Sequence, residues 1–445
     1  MFKLYANTNK INTKGKDTQQ VKTKYRIYNT KATPFGGIYV LNEFLHAIKF
    51  SSIFYSVFGK YRKVRQHLPV DNLKLIMATI TSGGERLYDV QKFENDPVIP
   101  DLFEISSVPK DTSLRDDFEH IGDMDKQRRE LLLRLHEDFF RKQKIRSITI
   151  DVDGSALPVD GHQEAAEKGY CPTEPGSRCF QTLAAICDQT ETTIAEQTYP
   201  GNTVFSADDA TRFCRSFLDR LSPKMDKISL RLDAGFYSDD FLRFLESYEN
   251  VTWLIGRPMH DWLQNKVTEL KYKQYYQSNR QYAWFCYNEG LDGKTRYYYV
   301  ERTRKDPKIQ TDLFQCNTYT YRVIVGNEYR QPHVIFRAYN KRGRIEKHIE
   351  ELKNQYALGK MISGDFKITK TLCWLSYLTF TLIGMLRKIA FRREMIQYRL
   401  RRLRFLLFTN VATLPKHARG RILNISFHRI TPWRFKFIMD RIWAY

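Results

Sequence analysis

The chain has 445 residues, 42% of them hydrophobic, long enough for a sizeable core and for roughly two to four structural units. Its 72 Lys and Arg against 50 Asp and Glu leave a net charge of +22, with +7 in residues 1–35, +15 in residues 360–445 and an electrically balanced body between them. Basic ends on a balanced body favour a polyanionic partner, above all nucleic acid, and seven scattered cysteines without a secretory leader exclude a disulfide scaffold and predict a reducing compartment.

Residues 1–33 are polar and lysine-rich and read as a flexible basic arm. From 34 to 145 the period is helical, as in YVLNEFLHAIKF and DKQRRELLLRLHEDFFRK, which predicts a small helical domain suited to DNA binding. The texture changes at SITIDVDGSALPV (147–159). Ile148, Ile150 and Val152 face one way and Asp151 and Asp153 the other, as in a half-buried strand. FQTLAAICD and TTIAEQTYPGN continue as strands, and Ser206 with Asp209 forms a capping box for a helix carrying Phe213, Phe217 and Leu221. The strand KISLRLDAG, a helix opened by Ser238 and the strand VTWLIG complete the first part of an α/β core over 146–256.

Residues 257–332 are aromatic and alternating (QYAWFCY, TRYYYVE, YTYRVIV) and predict a β-rich insertion. The core resumes over 333–390, and 391–445 is an arginine-dense basic region. The apolar run TLCWLSYLTFTLIGML (371–386) falls short of the ~20 residues a membrane span needs, so a buried helix is expected and no membrane partner.

The resumed core opens with YNKRGRIEKHIEELK (339–353). At about 100° per residue, Tyr339, Arg342, Glu346 and Lys353 share one strip of a single helix, beside an apolar seam of Ile345, Ile349, Leu352 and Tyr356. A plain salt-bridged surface would account for the strip, with Arg342–Glu346 and Glu350–Lys353 pairs worth about 0.2 to 0.5 kcal/mol each. Two further acids, Asp153 and Asp233, lie at strand positions where α/β sheets gather functional groups. Three carboxylates converging from two strands and a helix repel one another unless divalent cations lie between them. Such hard oxygen ligands suit Mg²⁺, with Mn²⁺ as a substitute. A pair of these ions can activate the attacking oxygen and stabilise the leaving oxygen of a phosphoryl displacement. The intervals between Cys171, Cys179 and Cys187 are too wide for a zinc knuckle, and Asp208, Asp239 and Asp240 read as acids favoured at helix starts.

On these residues the sequence resembles the Asp-Asp-Glu transposases of bacterial insertion sequences. Tyr339, Arg342, Glu346 and Lys353 match that family's Tyr-x2-Arg-x3-Glu-x6-Lys signature, and PGN (200–202) and ATLPKHARGRILNIS (412–426) are similar to its insertion-sequence thirteen-eighty group. The resemblance spans residues 34–430. It implies an RNase H-like catalytic core with Asp153, Asp233 and Glu346 as the metal-binding triad and two Mg²⁺ ions. Asp153 is preferred over Asp151, which shares its face, because Gly-Ser follows it. Tyr339, Arg342 and Lys353 would contact phosphates of the transposon end, and Trp284 of the insertion would stack on a base extruded at a hairpin intermediate. A homodimer synapsing two terminal inverted repeats in the bacterial cytoplasm, at the nucleoid, follows from the same resemblance. Ser155 and Cys171 depart from the family pattern, where Thr and Asn are common. A structure-specific nuclease or resolvase of the same fold, or a non-catalytic DNA-binding descendant, are the competing readings.

Overall fold

A computed structural model describes residues 31–61, 66–276, 279–288, 294–304, 319–417, 420–427 and 429–445. Residues 1–30 of the expected arm, and Cys316, lie outside these. The chain enters through strand β1 (Ala32–Thr33) and forms helices α1 (Ile38–Ala47), α2 (Phe50–Phe58), α3 (Pro69–Ser82), α4 (Ile99–Leu102), α5 (Asp111–Gly122) and α6 (Asp125–Lys142). Helix α3 begins at Pro69, where a missing N–H costs nothing, and is buried around nearly its whole circumference.

There follow strands β2 (Ser147–Val159), β3 (Glu167–Lys168), β4 (Arg178–Cys187) and β5 (Thr192–Tyr199), helix α7 (Ala207–Leu221), β6 (Lys227–Leu232), α8 (Asp239–Leu245), β7 (Val251–Arg257) and α9 (Asp261–Thr268). The predicted box at the start of α7 is present, with Ser206 accepting from the Asp209 N–H and the Asp209 carboxylate accepting from the Ser206 N–H. Ser238 likewise caps α8 by accepting from the Phe241 N–H. Strands β8 (Arg280–Tyr287), β9 (Arg296–Arg304) and β10 (Tyr319–Gly326) precede helices α10 (Pro332–Tyr339), α11 (Gly343–Gln355) and α12 (Phe366–Ala390). The C-terminal region adds helices α13 (Arg393–Ile396) and α14 (Leu400–Leu403), strands β11 (Ala412–Thr413), β12 (Lys416–His417), β13 (Gly420–Arg421) and β14 (Asn424–Ile425), and helix α15 (Pro432–Trp443).

One nine-stranded sheet organises the middle of the chain in the order β3-β4-β2-β6-β7-β10-β9-β8, with β5 also on the outer edge of β4. β2, β6 and β7 are parallel neighbours, and the remaining strands are antiparallel to theirs. The aromatic strands β8 to β10 therefore do not build a layer of their own; β10 pairs with β7 and carries the sheet outward. Register fixes the functional end. Val152 pairs with Leu232, and Leu232 with Ile255, so Asp153 and Asp233, one residue further along parallel strands, come to lie side by side.

One expectation needs correction, and the expected buried helix proves longer than its apolar run. The opening stretch at Tyr339 is not one continuous helix, because Asn340–Arg342 form a turn of 3₁₀ helix between α10 and α11. Such turns commonly connect helix ends, and Gly343, a weak helix former, starts the next segment. The apolar run 371–386 is part of a longer helix, α12, whose 25 residues make it long and apolar enough to cross a membrane by length and composition; its most apolar window is 94% buried inside the protein. It packs on β5, α5, α3 and α15. Its hydroxyls are occupied too, Thr379 donating to Leu375 O (2.7 Å) and Thr381 accepting from the Thr193 N–H (3.0 Å).

Candidate functional site

Asp153 sits in β2, Asp233 immediately after β6 as it enters a short 3₁₀ turn (Ala234–Phe236), and Glu346 in the first turn of α11. One guanidinium joins them. Arg342 Nη1 lies 3.1 Å from Asp153 Oδ2, and its Nη2 lies 3.7 Å from Asp233 Oδ1 and 3.5 Å from Glu346 Oε1. The last two oxygens share one nitrogen and so lie within about 7 Å of each other, a span that two ions about 3.5 to 4 Å apart could bridge. With the arginine between them the acids stay apart, and among the described residues no three acidic, histidine or cysteine side chains converge on one ion position. The donor set itself, three carboxylates already gathered on a cation, fits hard divalent ions.

Exposure differs across the cluster. The Asp153 and Arg342 side chains are 17% and 14% exposed, whereas Asp233 and Glu346 are 53% and 65% exposed. Burial accordingly pushes the Asp153 carboxyl up to about 6; Arg342 opposes that rise, while the Asp233 and Glu346 charges add to it. Asp151, on the same face of β2, is likewise pushed up to about 6 by burial, but the cation that opposes the rise is a different arginine. Arg231 donates to both its oxygens at 2.6 and 2.7 Å, pairs with Asp188 at 3.1 Å and donates to the Ala338 carbonyl at the end of α10. The period of β6 places Arg231 on the same face as Asp233, two residues on, which is the signal in the sequence for its role.

Two signature residues are turned inward. Tyr339 is buried, and its hydroxyl donates to the Leu232 carbonyl at 2.9 Å, the last residue of β6 before Asp233. Gly256 permits that approach, since a Cβ there would lie 3.0 Å from the Tyr339 hydroxyl. Lys353 Nζ donates to the Ala156 carbonyl at 2.7 Å, and burial draws its ammonium below the usual lysine range. In this arrangement both bond to main-chain carbonyls and tie the α10–α11 segment to β6 and β2. Cys171 packs with Cys179 against Ala156, below the same lysine.

A family model described as "Transposase DDE domain group 1" matches residues 20–444. The chain belongs to that family. The transposase finds no match among curated proteins. Among solved structures it is similar to a piggyBac transposase synaptic complex with hairpin DNA, at 11% identity over 85% of this chain and 80% of that one, with a TM-score of 0.43. It is also similar to a pre-cleavage Mos1 transpososome, at 7% identity over 46% and 62% of the two chains and a TM-score of 0.17, and to a mariner Mos1 paired-end complex with Mg, at 10% identity over 44% and 64% and a TM-score of 0.16.

Trp284 of the transposase lies on the edge strand β8, 42% exposed, with its ring 4.8 Å from that of Tyr329 and 6.3 Å from that of Tyr297. Pairing carries one row across the sheet from Trp284 to Tyr299, Ile324 and Gly256, and the next position on β6 is Asp233. Residues in one row share a face, so Trp284 stands on the acid-bearing face, about 19 Å from Asp233 at about 4.8 Å per strand.

Proposed function

We propose that this transposase mobilises a bacterial insertion sequence of the thirteen-eighty group, binding its terminal inverted repeats as a homodimer, cleaving at the ends and joining the freed 3′-hydroxyls to target DNA. The observation that carries this reading is the gathering of Asp153, Asp233 and Glu346 around the Arg342 guanidinium. Asp153, Asp233 and Glu346 would hold two Mg²⁺ ions, for which Mn²⁺ can substitute; the ions would supply Lewis-acid activation of the attacking and leaving oxygens. Asp153 and Asp233 suit that task because the parallel register of β2 and β6 brings them side by side. Arg342 has a second use beside them. Freed from the carboxylates, its planar fork can take two phosphate oxygens and orient the strand for attack. An RNase H-like core, with β2 and β6 as its two acid-bearing strands, is part of the same proposal.

The exposed Trp284, backed by Tyr297 and Tyr329, offers a stacking face for a base unstacked at a hairpin tip. Incubating the protein with candidate end sequences and Mg²⁺ tests the whole reading: joined product is expected. Asp233→Asn should abolish cleavage and joining, by at least about 10³-fold on the scale of lost electrostatic catalysis, while end binding stays within a few-fold, because a ligand is lost and no cation. Cleavage without joining would point to the nuclease reading, and binding without either to a non-catalytic DNA reader.

A further inference from the structure

At the opposite end of the central strands from the acid cluster, a cleft of 1080 Å³ opens between the α1–α2 junction, the C-terminal end of α6 and the segment after α7. Arg146 on its rim precedes β2, so about 20 Å of strand at about 3.3 Å per residue separates it from Asp153. Ile48, Ile53, Phe140 and Met225 contribute apolar walls, and eight lysines and arginines face only two carboxylates, Glu137 and Asp138. This concentration sits within the part of the chain whose formal charges balance. It is therefore assembled by folding and invisible in composition.

Six of the eight cations are held by acids. Glu137 pairs with Arg220 and Lys224, Asp138 with Arg141 and Lys142, Asp226 with Arg146 and Glu130 with Arg134. Lys49 and Lys144 are exposed and make no ion pair among the described residues. Both also adopt left-handed backbone, with φ of 56° and 54°. Glycine or asparagine would sit there with less strain, and a strained non-glycine residue is a pointer to use. Two unpaired lysines are thus kept, at conformational cost, on the rim of an already cationic cleft.

We propose that this cleft is a second DNA-binding site, taking the phosphodiester backbone of a duplex away from the scissile phosphate. DNA as the polyanion rests on the family reading; the cleft itself rests on its charge and shape. At this volume it exceeds what one phosphate ion could fill, and lysines act on a backbone as point charges that position without reading sequence.

Fluorescence anisotropy of the full chain on a duplex of about 40 base pairs, in EDTA and between about 50 and 200 mM salt, tests it. Lys49→Glu/Lys144→Glu should weaken binding at low salt by at least about fivefold and make the slope of log K against log salt shallower by roughly two. Lys49→Arg/Lys144→Arg should match the unsubstituted protein, and unchanged thermal midpoints would show that both variants fold. An unchanged slope in the glutamate variant overturns the proposal, as does equal loss in the arginine variant. Failure of strand transfer with the anisotropy response intact would count against the catalytic reading and leave the cleft standing.

Discussion

Arg342 stands among three carboxylates that would otherwise repel one another, and the least exposed of them, Asp153, already has its pKa pushed up to about 6. Replacing the guanidinium by a neutral amide leaves those charges with no counter-ion. Arg342→Gln should therefore lose about 1 to 3 kcal/mol of unfolding free energy in EDTA, the scale of stranding buried or half-buried polar partners. Mg²⁺ should restore part of that loss, since an ion that binds only the folded state stabilises it by mass action. Denaturant unfolding of both proteins with and without Mg²⁺ checks this. Equal stability in EDTA would mean that the arginine does not compensate the acids. Asp153 and Asp233 were legible as candidates because strand alternation and the glycine break after β6 are local signals. The inward bonds of Tyr339 to Leu232 and of Lys353 to Ala156 were not, because a carbonyl acceptor over a hundred residues away leaves no mark on spacing.

Strands and helices show the same division between local and tertiary causes. The caps at Ser206 and Ser238 were readable, since donor and acceptor lie three residues apart. The break at Asn340–Arg342 was hidden because the helical wheel assumes an unbroken α-helix. β5 shows a further limit. Its Glu196 shares a strand face with Ile194, is 3% exposed, and its Oε2 has no hydrogen-bond partner among the described residues. The charged groups around it are Arg128, Arg129 and Asp125 of α6 and Lys370 of α12, and burial nevertheless dominates, pushing its pKa up to about 7. A carboxyl with a raised folded-state pKa binds its proton more tightly when folded. The stability it contributes is complete below its unfolded value of about 4.5 and is lost as pH rises through about 7. Glu196→Gln, which cannot ionise, should be more stable than the unsubstituted protein at pH 8 by on the order of 2 to 3 kcal/mol, with the gap closing towards pH 4.5. Urea unfolding at both pH values reads it, and a gap independent of pH would show that Glu196 does not titrate in this range.

At the scale of the whole molecule, charge is distributed in a way that sequence and structure reveal in different parts. The sequence locates +22 at the two ends, while folding collects further cations from the balanced body into the cleft beside α6. If both contact DNA, their contributions come from separate phosphates and should add, because distant sites without shared partners are nearly independent. Residues 1–30 hold seven lysines and arginines and one acid. Deleting them should flatten the salt dependence of duplex binding by up to about five in log–log slope, at about 0.9 per phosphate released, and combining the deletion with Lys49→Glu/Lys144→Glu should flatten it by about two more. Anisotropy titrations of the four proteins over one salt series measure both terms. A deletion with no effect on slope would show that the N-terminal charges do not reach phosphate. A combined effect well below the sum would mean that these residues and the cleft serve the same stretch of DNA, so that the two cationic regions act as one continuous track across the protein.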